Sequence, residues 1–213
     1  MIATQHSLVL RLRDGVSNTD WQRFYALYGK PILAFAAARS LNEADCCDVL
    51  QETMVRMLRV GFARFDPDKG KFTGFLFHIV RCCVIDAIRR RSRAESRHVS
   101  LDVPSANSAS PVGERFSDNS ETPADAAERQ GQMALVLIVL NFLSERRCFR
   151  AKTIELFKAV VIEQRDPKEI ASAFQTTAGN VYQARHAVLA KLRSMLAGLD
   201  QGLDLEQALV SQS

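Results

Sequence analysis

The sequence predicts an all-α protein of two small helical domains joined by a flexible linker. Three observations carry this. Apolar residues recur at helical spacing over residues 20–98 and again over 128–196. Helix-start chemistry, a short polar side chain followed by an acid or a proline, opens several of these runs. Between them SLDVPSANSASPVGERFSDNSETPADAA, residues 100–127, is rich in serine, proline, asparagine and acids and poor in core-forming side chains. The expected division is a helical domain over 1–98, a flexible acidic linker over 99–126, a second helical domain over 127–200 and a tail over 201–213.

In chain order, Thr19 or Asp20 can cap a helix carrying Trp21, Phe24, Tyr25, Leu27 and Tyr28, and Pro31 suits the first turn of a second helix, ILAFAAARSL. Asn42 caps the next, with Asp45 three residues on. Its apolar stripe is Val49, Leu50, Thr53, Met54, Met57 and Leu58, and Asp45, Asp48, Gln51 and Glu52 lie on much of the other side. DPDKG makes a turn, and a long helix is expected from about Phe72 to Arg91. In the second half, residues 128–143 and FRAKTIELFKAVVIEQ read as packed helices. Asp166, Pro167 and Glu169 then specify the start of a two-turn helix, and Thr176 or Thr177 caps a longer one with Val181, Ala184, Val188, Leu192 and Leu196 on one side. A short helix, a tight connection and a longer helix is the arrangement of a helix-turn-helix, with the small Ala171 allowing close approach. The tail reads as a short helix or a frayed end.

Composition is that of an ordinary globular chain, 47% hydrophobic and 24% charged over 213 residues. No apolar run is long enough for a membrane span, and the N-terminus lacks a small-residue cleavage site, so a mature cytoplasmic protein is expected. Five cysteines include the adjacent pairs Cys46-Cys47 and Cys82-Cys83, neither with zinc-knuckle spacing. His78 and Cys82 could share a helix face, but buried free thiols are the expected reading. No P-loop, ligand triad or serine-nucleophile motif occurs, so no catalytic residue, metal or cofactor is expected.

The net charge of +4 is mild, but its distribution is not. Arg81, Arg89, Arg90, Arg91, Arg93 and Arg97 crowd one stretch, opposed by Asp86 and Glu95. Just before them lie Phe65, Phe72, Phe75 and Phe77. Aromatic surface beside arginines is the chemistry of single-strand capture, with rings stacking on bases and guanidinium groups following the backbone. Core packing is the competing reading for each ring. In the second half Asn180, Tyr182, Gln183, Arg185 and His186 are available to a DNA groove, with Lys191 and Arg193 near phosphates. An ordinary helical hairpin with a solvated face is the alternative there.

DVLQETMVRMLR, FDPDKGKFTGFLFHIVRCCVIDAIRRRSR and DPKEIASAFQTTAGNVYQARHAVLAKLRSML, in that order, resemble a bacterial RNA polymerase sigma factor of the sigma-70 family, of the extracytoplasmic-function (ECF) type. The resemblance spans roughly residues 20–98 and 130–196. It implies a non-catalytic promoter-specificity factor whose partners are core RNA polymerase and promoter DNA, with an anti-sigma protein as a further candidate. Asp45, Asp48, Gln51 and Glu52 would meet the polymerase. Phe65, Lys69, Lys71, Phe75, Phe77, His78, Arg81, Cys82, Arg89, Arg90 and Arg93 would capture the opened −10 element. Thr177, Asn180, Tyr182, Gln183, Arg185, His186 and Lys191 would read the −35 duplex. The linker would occupy the RNA exit path. Phe75 stands where tryptophan is usual in the family, Phe77 where tyrosine is common and Cys82 where asparagine is frequent. Gln175-Thr176 replaces the usual glycine and apolar pair of the turn. The competing functions are a dimeric helix-turn-helix regulator that binds duplex DNA without polymerase, and a helical protein-interaction module.

Overall fold

The computed structural model describes residues 7–15, 17–99 and 123–211. Ten α-helices and one π-helical turn make up its regular structure, and among the described residues there is no strand. Most of the expected linker lies outside the described residues.

A first helix, α1 (Leu8–Asp14), was not expected from the sequence. It buries Leu8, Val9 and Leu12, and the Ser7 hydroxyl caps it by accepting from the Leu10 N–H. α2 (Asn18–Ala37) is one helix, not two, and Ser17, rather than Thr19 or Asp20, is its cap. Pro31 starts nothing. A proline inside a helix removes one N–H bond, and the apolar face of Phe24, Leu27 and Tyr28 continues through Ile32, Phe35 and Ala36 into the core, which keeps the helix intact.

Asn42 caps α3 (Glu43–Arg56) as predicted, its Oδ1 accepting from the Asp45 N–H at 2.8 Å. A π-helical turn (Met57–Gly61) and the short α4 (Phe62–Arg64) follow. α5 (Phe72–Val99) runs beyond the expected end at Arg91, since arginine is a good helix former. α6 (Pro123–Glu145) starts within the span expected to be linker. α7 (Ala151–Val161) leads to α8 (Pro167–Ala173), where the Asp166 carboxylate accepts from the N–H groups of Lys168 and Glu169. Thr177 caps α9 (Ala178–Asp200), and the tail forms α10 (Leu205–Val210) with a reciprocal Asp204–Gln207 capping box.

Two apolar clusters organise these helices. The larger gathers α1, α2, α3 and α5 together with α6, part of α7, the second half of α9 and α10. Phe24, Tyr28, Phe35, Phe72, Leu140, Met195 and Leu199 are among its fully buried members. Phe24 sits among Tyr28, Phe62 and Phe72 at ring separations of 4.9, 5.1 and 6.1 Å, a largely edge-to-face arrangement. The smaller cluster joins Leu156 and Ala159 of α7, Ile170 and Ala171 of α8, and Val181 and Ala184 of α9. The first half of α9 thus belongs to one core and its second half to the other. All five cysteines are free, but only Cys46 and Cys83 are buried. Neighbouring helical residues point about 100° apart, so one thiol of each adjacent pair faces the core and the other does not. Burial pushes the Cys46 and Cys83 thiols above their ordinary value.

Candidate functional site

On α3, Asp48 and Gln51 are exposed, whereas Asp45 and Glu52 are half-buried. Asp48 and Asp45 line a cleft whose opposite wall is Arg90 and Arg91 of α5. Acidic and basic candidates thus border one surface. Glu52 accepts from Arg56 at 2.8 Å, and Arg56 reaches across to Asp86 of α5 at 2.9 Å. The two carboxylates, Asp86 first, raise the Arg56 guanidinium above its usual value.

The turn before α5 is stitched by Asp66, which accepts from the Asp68 N–H at 3.0 Å and pairs with Lys69 at 2.9 Å. The Lys69 ammonium, helped by that N–H, holds the Asp66 carboxyl below its ordinary value. Phe65 is buried, with its ring edge-on to Phe72 at 5.1 Å and tilted against the half-buried Phe75 at 5.6 Å. Phe77 is only 4% exposed, packed between Phe35 at 5.7 Å and the backbone of Gly131. His78 is exposed, and its Nε2 lies 4.0 Å from the Cys82 Sγ. Among the described residues no three His, Cys, Asp or Glu side chains converge as metal ligands.

Lys71 and Arg81 do not project freely. Lys71 pairs with Asp200 of α9 at 3.1 Å, and Arg81 with Glu128 of α6 at 2.9 Å. Arg89, Arg90 and Arg93 are exposed farther along α5. The structure therefore brings the −10 candidates onto one helix and its preceding turn, but it leaves Phe65 and Phe77 inside the fold. Glu128 and Asp200 were not singled out from the sequence. Their partners lie far away in the chain, 47 residues for Glu128 and Arg81, so no local pattern marks them.

At the start of α9 the Thr177 hydroxyl accepts from the Asn180 N–H, and the Asn180 amide donates to the Thr176 hydroxyl at 3.0 Å. Val181 and Ala184 point into the small core. That turns Tyr182 (54% exposed), Gln183, Arg185 and His186 outward as a contiguous polar row, with Lys191 half-buried beyond them.

Residues 24–94 match the family model described as Sigma-70 region 2. Comparisons with curated proteins and with solved structures return no match. The matched stretch runs from Phe24 in α2 to residue 94 in α5 and so includes both the acidic face of α3 and the aromatic and basic face of α5. This segment is a sigma-70 region-2 domain. Proteins of the sigma-70 region-2 family are non-catalytic. Among the described residues no helix is long and apolar enough to cross a membrane.

Proposed function

We propose that the chain is a sigma factor of the extracytoplasmic-function type, which binds core RNA polymerase, directs it to −35 and −10 promoter elements and helps to open the DNA. The observation that carries this reading is the region-2 match over residues 24–94, which takes in the α3–α5 surface. Asp48, Gln51 and the neighbouring Asp45 and Glu52 are the proposed contacts to basic residues of the polymerase. Phe75 and His78 are the accessible rings beside the opened strand, and Lys69, Lys71, Arg81, Arg89, Arg90 and Arg93 are the proposed phosphate contacts.

The short α8, the bend at residues 174–177 and the long α9 make a helix-turn-helix in this reading, with α9 as the recognition helix. Its polar row of Tyr182, Gln183, Arg185 and His186 would face base edges, and Thr177, Asn180 and Lys191 would flank them. The chain performs no chemistry; the polymerase does. The test is transcription in vitro with core polymerase, coupled to mapping of start sites. A defined set of starts that depends on the chain is the expected result. Failure to co-purify with core polymerase, with tight binding to a palindromic duplex instead, would replace this reading with that of a self-sufficient duplex-binding regulator.

A further inference from the structure

We propose that His78 and Cys82, one turn apart on α5, form a two-residue site for a thiophilic cation of the Zn2+ type. The site goes beyond the strand-binding reading of α5 and does not depend on it. Only its last consequence, a metal-assisted phosphate contact, rests on that reading.

Three features of the molecule support the site. First, the spacing fits. Residues four apart share one side of a helix, and the His78 Nε2 lies 4.0 Å from the Cys82 Sγ. A zinc ion bonds an imidazole nitrogen at about 2.0 Å and a thiolate at about 2.3 Å. Those lengths hold the two atoms about 3.5 Å apart at a tetrahedral angle and about 4.3 Å apart in a straight line. The observed separation lies between these limits. Second, the support is fixed and the ligands are accessible. Leu76, Val80, Cys83 and Val84 anchor this part of α5 in the large core, none more than 1% exposed, whereas His78 is exposed and Cys82 half-buried. Closing about 0.5 Å to the tetrahedral geometry takes only a small rotation of the exposed imidazole. Third, no other group claims either side chain. Among the described residues their one polar contact is with each other, and at 4.0 Å a thiol is a weak partner. The charged groups on either side are already engaged, Arg81 by Glu128 and Asp86 by Arg56, each at 2.9 Å.

A thiolate and an imidazole select soft or borderline cations over magnesium and calcium, which take oxygen ligands. On binding, the Cys82 thiol releases its proton to solvent and the imidazole binds through an unprotonated nitrogen. Exchange of one proton for a divalent cation adds one positive charge to the face. Two protein ligands, where structural zinc uses four, make an exchangeable, roughly micromolar site with positions left open to water. On the strand-binding reading a phosphate oxygen takes one of these positions. The metal then supplies a further phosphate contact on the helix that carries Arg89 and Arg93.

The site is tested in the full chain, reduced and without DNA. Co2+, a spectroscopic stand-in for Zn2+, reports Cys82 ligation through its thiolate-to-metal charge-transfer band, and Zn2+ affinity is read by competition with a chromogenic chelator. Wild type is expected to develop the band with one equivalent. Cys82→Ser should lose it, and His78→Gln should bind Zn2+ at least tenfold more weakly. Cys47→Ser with Cys148→Ser, which removes the other exposed thiols, should change neither, and circular dichroism checks that each variant keeps its helices. A band that survives in Cys82→Ser overturns the site. So does unchanged affinity in His78→Gln, which reduces the pair to a single thiol. Fluorescence anisotropy of labelled oligo(dT) reads the consequence. Zn2+ should tighten binding by wild type and steepen its salt dependence by about 0.7 in log–log slope, as one added contact on a single strand implies, with no change in Cys82→Ser. Metal uptake with no effect on bound oligo(dT) upholds the site and overturns its phosphate role. Absence of oligo(dT) binding with or without metal overturns the strand-binding reading instead and leaves the site standing.

Discussion

Gln175 adopts φ 49°, in the left-handed region, at the bend between α8 and α9. A non-glycine residue there costs about 1–2 kcal/mol, partly offset in any glycine variant by the greater freedom of the unfolded chain. Gln175→Gly is therefore expected to stabilise the protein by roughly 0.5–1 kcal/mol, seen as a higher denaturant midpoint at unchanged slope. The opposite case is Gly202, at φ 78° between α9 and α10, where a Cβ would meet the Val9 Cβ at 2.9 Å. Gly202→Ala should cost roughly 1–3 kcal/mol in thermal or chemical denaturation. Nearby, Arg11 joins α1 to Asp20 at 2.9 Å and to the buried Asp204 at 3.4 Å. The Arg11 hydrogen bond holds the Asp20 carboxyl below its usual value near 3.8, so the stability it contributes is complete above that value and disappears as pH falls through the lowered one. Asp20→Asn should destabilise the protein at pH 7 and make no difference in strong acid, as paired denaturation curves would reveal.

At the level of elements, the seam between α3 and α5 combines two kinds of surface. Arg56 ties Glu52 to Asp86, whereas Asp48 has only the cleft beside it. A reversal at Glu52 would disturb that seam as well as any partner, so Asp48→Lys is the cleaner probe. It should weaken core-polymerase binding roughly tenfold or more through like-charge contact while leaving the circular dichroism spectrum unchanged. Arg185→Ala on α9 should weaken duplex binding by roughly 1–3 kcal/mol and relax specificity if the side chain reads a base, or lower the salt slope by about one if it meets a phosphate. The starts of these helices were legible in the sequence because a cap is local. Asn42, Asp166 and Thr177 each satisfy an N–H two or three residues away. The unity of α2 was not, because Pro31 carries a local signal for a helix start that burial of Ile32 and Phe35 overrides.

Across the whole molecule, legibility falls with the separation of the partners. The all-helical class and the character of the α3, α5 and α9 faces follow from patterns within one helix. The docking of α6 against α2 and of α9 against α5 does not, because Glu128, Gly131 and Asp200 acquire meaning only from residues dozens to more than a hundred positions away. The rings of Phe65 and Phe77 are instructive in the same way. Their chemistry suits a base, and only the tertiary packing reveals that both lie inside. Because α9 is shared between the two cores, one continuous helix should contain two regimes of amide protection. Amides near Val181 and Ala184 can exchange when the small α7–α8 cluster opens, whereas those around Met195 and Leu199 must wait for the large core. A step in exchange rate between Ala184 and Val188, with no break in the helix there, would be the mark of a single rod embedded in two independently breathing bodies.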